Sequence, residues 1–142
     1  MLSEEKITEA GWMAGSRTER LYYIGAARID SNEFTGQQRS SYSVYELSRP
    51  EATRAAGLVA AIAALERKAS EEDRSMTRRE RADFERMNRE LTGIVFAAGR
   101  RVHYTRPVAG TPLPIGTILD QAQFSRIPVR STETLKAQAV GR

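Results

Sequence analysis

The pattern of apolar and polar positions predicts two strands in the first third of the chain. Aromatic and β-branched residues are concentrated in segment 21–29, and serine alternates with tyrosine and valine in segment 41–47. Segment 30–38 between them is rich in turn-forming residues and has no helical period. We therefore expect an antiparallel β-hairpin with an exposed loop.

A helical period replaces this alternation in the middle of the chain. Ser48 and Glu51 fit a capping box with proline in the first turn, which predicts a helix over 49–69. Thr77 and Glu80 form a second capping-box pattern, which opens a helix with one apolar stripe. Because the link between the helices is short and polar, we expect them to pack as an antiparallel pair.

Shorter elements are predicted towards both ends. Ser3 begins a helical pattern that stops before Gly15, and segment 102–105 is a candidate third strand. Segment 115–124 has the composition for one or two helical turns, and segment 132–140 for a short terminal helix.

These elements predict an α+β fold in which a β-hairpin, with the candidate third strand, packs on the antiparallel helix pair. The domain is expected to span residues 1–106, and residues 107–142 are expected to form an extended, basic C-terminal arm. This arm is interrupted by prolines at four positions: Pro107, Pro112, Pro114 and Pro128. Since it is too poor in apolar residues for a core of its own, it is expected to gain order by lying on a neighbouring molecule.

The composition excludes several classes of site and location. With 142 residues the chain has the length of one domain, and with no cysteine it has no disulfide, thiolate nucleophile or cysteine-based zinc site. The first residues are polar and acidic, unlike a signal peptide, and the longest apolar stretch, 55–65, is too short to cross a bilayer. We therefore expect a cytoplasmic or virion protein with no membrane partner.

Positive charge is concentrated in the last third of the chain. The net charge is +4, and residues 100–142 carry seven basic and two acidic side chains. Guanidinium groups bind carboxylate and phosphate through paired hydrogen bonds, so this segment is the expected place for an acidic partner. The predicted partner-binding residues are five arginines: Arg100, Arg101, Arg106, Arg126 and Arg130.

The residues offer little support for catalysis. His103 is the only histidine, so a Ser-His-Asp site would need it together with Ser125 or Ser131 and with Asp120, and no G-x-S-x-G turn accompanies these residues. The chain also has no P-loop, G-x-G-x-x-G or EF-hand motif. We interpret His103 as a structural or surface residue and expect no enzyme activity, cofactor or metal.

The leading hypothesis is a non-enzymatic structural or assembly subunit that acts through protein–protein association, with copies of itself or with another protein. Subunits of a bacteriophage virion or its head–tail connection have this character. One alternative is a nucleic-acid-binding accessory protein that uses the basic C-terminal residues. In this alternative a sheet presenting tyrosines stacks unpaired bases, the candidates being Tyr22, Tyr23, Tyr42 and Tyr45. Another alternative is an inhibitor or regulator of a second protein.

Overall fold

An antiparallel sheet with strand order β5-β1-β2-β3-β6 organises the computed structural model, which describes residues 19–136. A further short strand, β4, pairs with β2 off this path. The strands are β1 (Arg20–Ser31), β2 (Gln38–Ser48), β3 (Arg101–Thr105), β4 (Val108–Ala109), β5 (Ile118–Leu119) and β6 (Val129–Thr134). The predicted N-terminal helix lies outside the described residues.

Three helices in this part of the chain begin with capping boxes. The helix α1 (Arg49–Glu71) starts directly after β2, α2 (Arg78–Val95) returns antiparallel to it, and α3 (Gln121–Phe124) is a single turn. In each box the capping side chain accepts from the third helical N–H, and the side chain at that third position accepts from the cap N–H. The local sequence therefore fixes where each helix begins.

Side chains along a strand alternate between the two faces of the sheet. Both faces of this sheet contribute to a core. One face packs against α1 and α2 and contributes four core residues: Tyr23, Tyr45, Leu47 and Val102. The opposite face is covered by Leu119 and Phe124 of the C-terminal segment. Its own core residues are Tyr22, Ile24, Tyr42 and Val44. The rings of Tyr22 and Phe124 stack with their centroids 4.1 Å apart.

The α+β class is confirmed, with the hairpin, the third strand and the helix pair in their predicted places. Residues 107–142 were expected to gain order by lying on a neighbouring molecule, but the described part of this segment lies on its own domain. Its strands pair with β1, β2 and β3, and its apolar side chains bury one face of the sheet. The segment needs few apolar residues for this, because they pack on the apolar face of an existing sheet and do not form a separate core.

Two predicted helical stretches contain strands. Residues Val129–Thr134 form β6, so the expected terminal helix is wrong where it overlaps this strand, and residues beyond 136 lie outside the described part. The β-branched residues Thr132 and Thr134 pair with His103 and Arg101 of β3, and this pairing overrides the local helical propensity. Within segment 115–124, only Gln121–Phe124 is helical, and Ile118–Leu119 pair with β1.

Candidate partner-binding surfaces

Arg100 is an internal residue. Its guanidinium donates twice to the carboxylate of Glu51, at 2.8 and 3.0 Å, and also to the backbone carbonyls of Glu46 and Ile94. Its side chain is only 13% exposed. Arg100 therefore joins β2 to the start of α1 and the end of α2 within the chain, and its role in binding a partner stays a prediction.

Glu51 connects this ion pair to a helix cap. One carboxylate oxygen accepts from the Ser48 N–H at 2.8 Å as well as from Arg100. The Arg100 guanidinium, followed by the Ser48 N–H, holds the pKa of the Glu51 carboxyl at about 2, below its ordinary value of 4.5, although partial burial opposes this shift. The carboxylate is therefore ionised over the whole physiological range.

His103 lies buried in the sheet with partners on both ring nitrogens. Nε2 is 2.6 Å from a carboxylate oxygen of Glu46, and Nδ1 is 2.9 Å from the hydroxyl of Thr132. The ring also packs against Tyr22 and Phe124. These contacts join β2, β3 and β6 within the chain.

Glu46 is the member of this cluster that the sequence analysis missed. It continues the alternation of Tyr42 and Val44, and an acidic residue at a position of the buried face was the available signal. Its carboxylate also lies 3.9 Å from Arg20 and 3.6 Å from Arg101. Three basic side chains, Arg20, Arg101 and His103, thus lie around Glu46 at one end of the sheet.

The remaining predicted arginines lie on the surface. Arg101 is exposed beside Glu46, whereas Arg106, Arg126 and Arg130 are exposed and form no ion pair within residues 19–136. The N–H of Arg106 donates to the carbonyl of Pro128, which brings β3 close to the segment before β6. Arg130 lines an open cleft of about 460 Å³ together with Arg28.

The four tyrosines proposed as a stacking platform are buried. Tyr22, Tyr23, Tyr42 and Tyr45 all lie in the two cores, and the hydroxyl of Tyr22 donates to Gln121 at 2.8 Å. A base cannot stack on a ring that is already covered, so this part of the nucleic-acid hypothesis is wrong. Tyr104, half-buried in the cleft beside Arg130, is the tyrosine placed near the exposed arginines.

The β1–β2 hairpin ends in a hydrogen-bonded turn that exposes a phenylalanine. The side chain of Asn32 accepts from the N–H groups of Phe34 and Thr35, at 2.8 and 3.0 Å. The backbone carbonyl of Asn32 accepts from the N–H of Gly36. Gly36 has a φ of +76°, a conformation that glycine adopts without strain. The turn is therefore well defined, and it leaves the ring of Phe34 92% exposed.

Two further large apolar side chains are exposed near this hairpin. Ile29 on β1 is 48% exposed, and Ile115, in the loop before β5, is 61% exposed. That loop lies beside β1, because Gly116 and Thr117 hydrogen-bond with Ile24. Ile29 and Ile115 are thus separate exposed apolar side chains, and Ile115 borders the helix pair beside Val59 and Leu91.

Comparison with protein-family models, with curated proteins and with solved structures gave no match to this chain. Within residues 19–136, no helix has the length and apolar character needed to cross a bilayer. The same residues contain no group of three histidine or acidic side chains placed to hold a metal ion.

Proposed function

We propose that this protein is a non-enzymatic assembly subunit that associates with copies of itself, of the kind that builds a bacteriophage virion or its head–tail connection. The observation that carries the proposal is Phe34, almost fully exposed on an ordered turn at the end of a long hairpin. An exposed ring on an ordered turn loses little conformational entropy when it enters a partner surface.

The polar clusters also favour a structural role. The groups best suited to chemistry, Glu46, Glu51 and His103, are engaged with neighbours from other elements of the same chain. Their hydrogen bonds therefore connect elements of the fold to one another.

Light scattering coupled to size-exclusion chromatography tests the proposal. We expect the mass of the full chain to rise with concentration above 15.9 kDa. Phe34→Ser should weaken this association about tenfold or more, since burial of an aromatic side chain dominates many interfaces. Val129→Ser, which removes a different exposed apolar side chain, is the matched control and should have little effect. A monomer at every concentration would contradict self-assembly.

Nucleic-acid binding is the second candidate function, and the cleft between Arg28 and Arg130 is the observation that favours it. The floor of this cleft is made of small residues with Tyr104 at one side, and Arg106 lies just beyond it in the chain. A groove with guanidinium groups on its walls can follow a phosphate backbone, and one accessible tyrosine can stack on a base.

The salt dependence of binding tests this second candidate. Fluorescence anisotropy of a labelled single-stranded oligonucleotide should give a log affinity that falls with log salt, by about 0.7 for each phosphate contact. Arg106→Ala and Arg130→Ala should each reduce this slope by about 0.7, the value of one phosphate contact. Arg79→Ala, on the exposed surface of α2, is the control and should leave the slope unchanged. Equal slopes in all four proteins would refute the cleft as the binding site.

A further inference from the structure

Within residues 19–136, the outer edge of β1 is open beyond Ile24. β2 pairs with β1 along its whole length, whereas β5 pairs only with Tyr22 and Tyr23, and the loop before β5 reaches only to Ile24. Among the described residues, no strand pairs with the outer side of segment 26–31. An unpaired edge of this kind is a template on which another strand can add.

The hydrogen bonds of β2 establish which groups of this edge point outwards. Opposite residues of an antiparallel pair alternate between exchanging two hydrogen bonds and exchanging none. The N–H of Tyr42, opposite Ala27, donates to the Thr105 hydroxyl on β3 and not to β1. Ala27 is therefore a non-bonded position of the hairpin, and so by alternation are Ile29 and Ser31. Their N–H and C=O groups point away from β2.

The side chains along this edge are self-complementary about Ile29. Arg28 and Asp30 flank it, exposed on one face of the sheet with Nε and Oδ1 3.6 Å apart, while Ile29 lies on the opposite face. If two copies pair antiparallel with a twofold axis at Ile29, Arg28 of each copy lies opposite Asp30 of the other. Ile29 then contacts Ile29 of the second copy, and Ala27 bonds with Ser31.

The same register carries the hairpin turn of each copy, which exposes Phe34, towards Ile24 of the other, where the loop containing Ile115 is bound. The arrangement accounts for the open edge, the charge pattern and the exposed side chain of Ile29.

We propose that two copies of this chain form a symmetric dimer by antiparallel pairing of their β1 edges over residues 26–31. The dimer joins the two sheets into one continuous sheet. This inference rests on the proposed function, for which it names the partner and the surface.

Charge reversal at the two flanking positions tests the register. Arg28→Asp places a second carboxylate opposite Asp30 of the other copy, and Asp30→Arg places two guanidinium groups together, so each variant alone should dimerise at least about tenfold more weakly. An equal mixture of the two variants should restore the dimer, because every cross-strand pair is then of opposite charge. The ion pair within each chain is absent from both variants, so it cannot explain the restoration. Analytical ultracentrifugation measures all three samples.

Cysteine cross-linking provides a second measurement, since the natural chain contains no cysteine. Ile29→Cys should form a disulfide-linked dimer on mild oxidation, because the Cα atoms of directly opposite residues are about 5.5 Å apart. Thr53→Cys, on an exposed position of α1 away from this edge, is the control and should form no disulfide-linked dimer under the same conditions.

The outcomes separate this inference from the proposed function. Oligomers of the wild-type chain that neither charge reversal nor mixing alters would overturn the β1 interface and leave self-assembly standing. A wild-type monomer at every concentration would overturn both. Restoration by mixing, together with the Ile29→Cys cross-link, supports the β1 interface.

Discussion

The carboxylate of Glu51 combines a helix cap with a bidentate ion pair to Arg100. The capping box was predicted from sequence, because its two residues lie three positions apart and the pattern is local. Arg100 follows 49 positions later, and only the packing of α2 beside β2 brings it to this carboxylate. A position on the surface was therefore a reasonable expectation for Arg100 from charge alone, whereas the fold covers most of its side chain.

Stability should fall in acid because two carboxyls are held ionised in the folded state. The pKa values of Glu51 and Glu80 both lie at about 2, chiefly through hydrogen bonds from Arg100 and Arg74 respectively, against an ordinary value of 4.5. A lowered pKa contributes stability that is fully present above the ordinary value and is lost as pH falls towards about 2. Urea unfolding at a series of pH values should show this loss between pH 4.5 and about 2.

Glu51→Gln isolates one of the two groups. Glutamine at this position can still complete the capping box, so the variant removes the charge and keeps the cap. The decrease in unfolding free energy between pH 7 and pH 2.5 should become smaller by about 1 to 2 kcal/mol, a value discounted for the partial exposure of the carboxylate. An unchanged decrease would mean that the Arg100 pair contributes nothing to the pH dependence.

At the scale of elements, the bulge in β1 depends on a glycine. The pairing register of β1 and β2 shifts between Ile24 and Ala26, and a Cβ at Gly25 would collide with the ring of Tyr45. The ring lies over this position as part of the core and makes an edge contact with Phe96, with centroids 4.8 Å apart. Gly25 therefore makes room for Tyr45, one of the two buried tyrosines of the helix-facing core.

Gly25→Ala should destabilise the protein by about 1 to 3 kcal/mol, because a Cβ there displaces the ring of Tyr45. Gly57→Ala is the matched control, since its Cβ would have no neighbour within 4 Å and alanine is the better helix former. That variant should gain about 0.5 to 1 kcal/mol. Urea denaturation measures both, and the same sign of change in the two variants would contradict the steric argument.

The long elements were predictable because their signals are local. Capping boxes marked the starts of α1 and α2, aromatic and β-branched content marked β1, and alternation marked β2. The strands β4 and β5 are two residues each, and no period can be read from so short a segment. They exist because β1 and β2 offer hydrogen-bonding partners, so their positions depend on contacts distant in sequence.

At the scale of the molecule, the sheet lies between the helix pair and its own C-terminal segment. The prolines of that segment were interpreted as a sign of an arm, but they lie in the connections between the short strands. Charge and proline content could not reveal that Leu119 and Phe124 cover Tyr22 and Ile24. We therefore propose the hairpin and its neighbouring loop as the partner surface, in place of the basic segment as a whole.

Removal of residues 107–142 should therefore unfold the protein or leave a loosely packed state. The truncation exposes the core face that contains Tyr22, Ile24, Tyr42 and Val44, and a dye that binds apolar surface should fluoresce with it. Near-ultraviolet circular dichroism should lose the signal of packed tyrosines. A truncated chain that unfolds cooperatively like the full chain would refute this account.

Two controls accompany the truncation. Deletion of residues 137–142 alone leaves every described contact in place, so a larger effect of the full truncation is due to residues 107–136. Phe124→Ala removes one covering side chain and should cost about 3 kcal/mol through the cavity beneath Tyr22.

The position of this covering segment also determines when the protein can fold during its synthesis. The hairpin and both long helices emerge from the ribosome first, with Tyr22, Ile24, Tyr42 and Val44 still open to water. Residues 118–134 emerge later and close that face. A nascent chain waiting for them presents an apolar surface that chaperones recognise, and slow translation of this last stretch would prolong its exposure to aggregation.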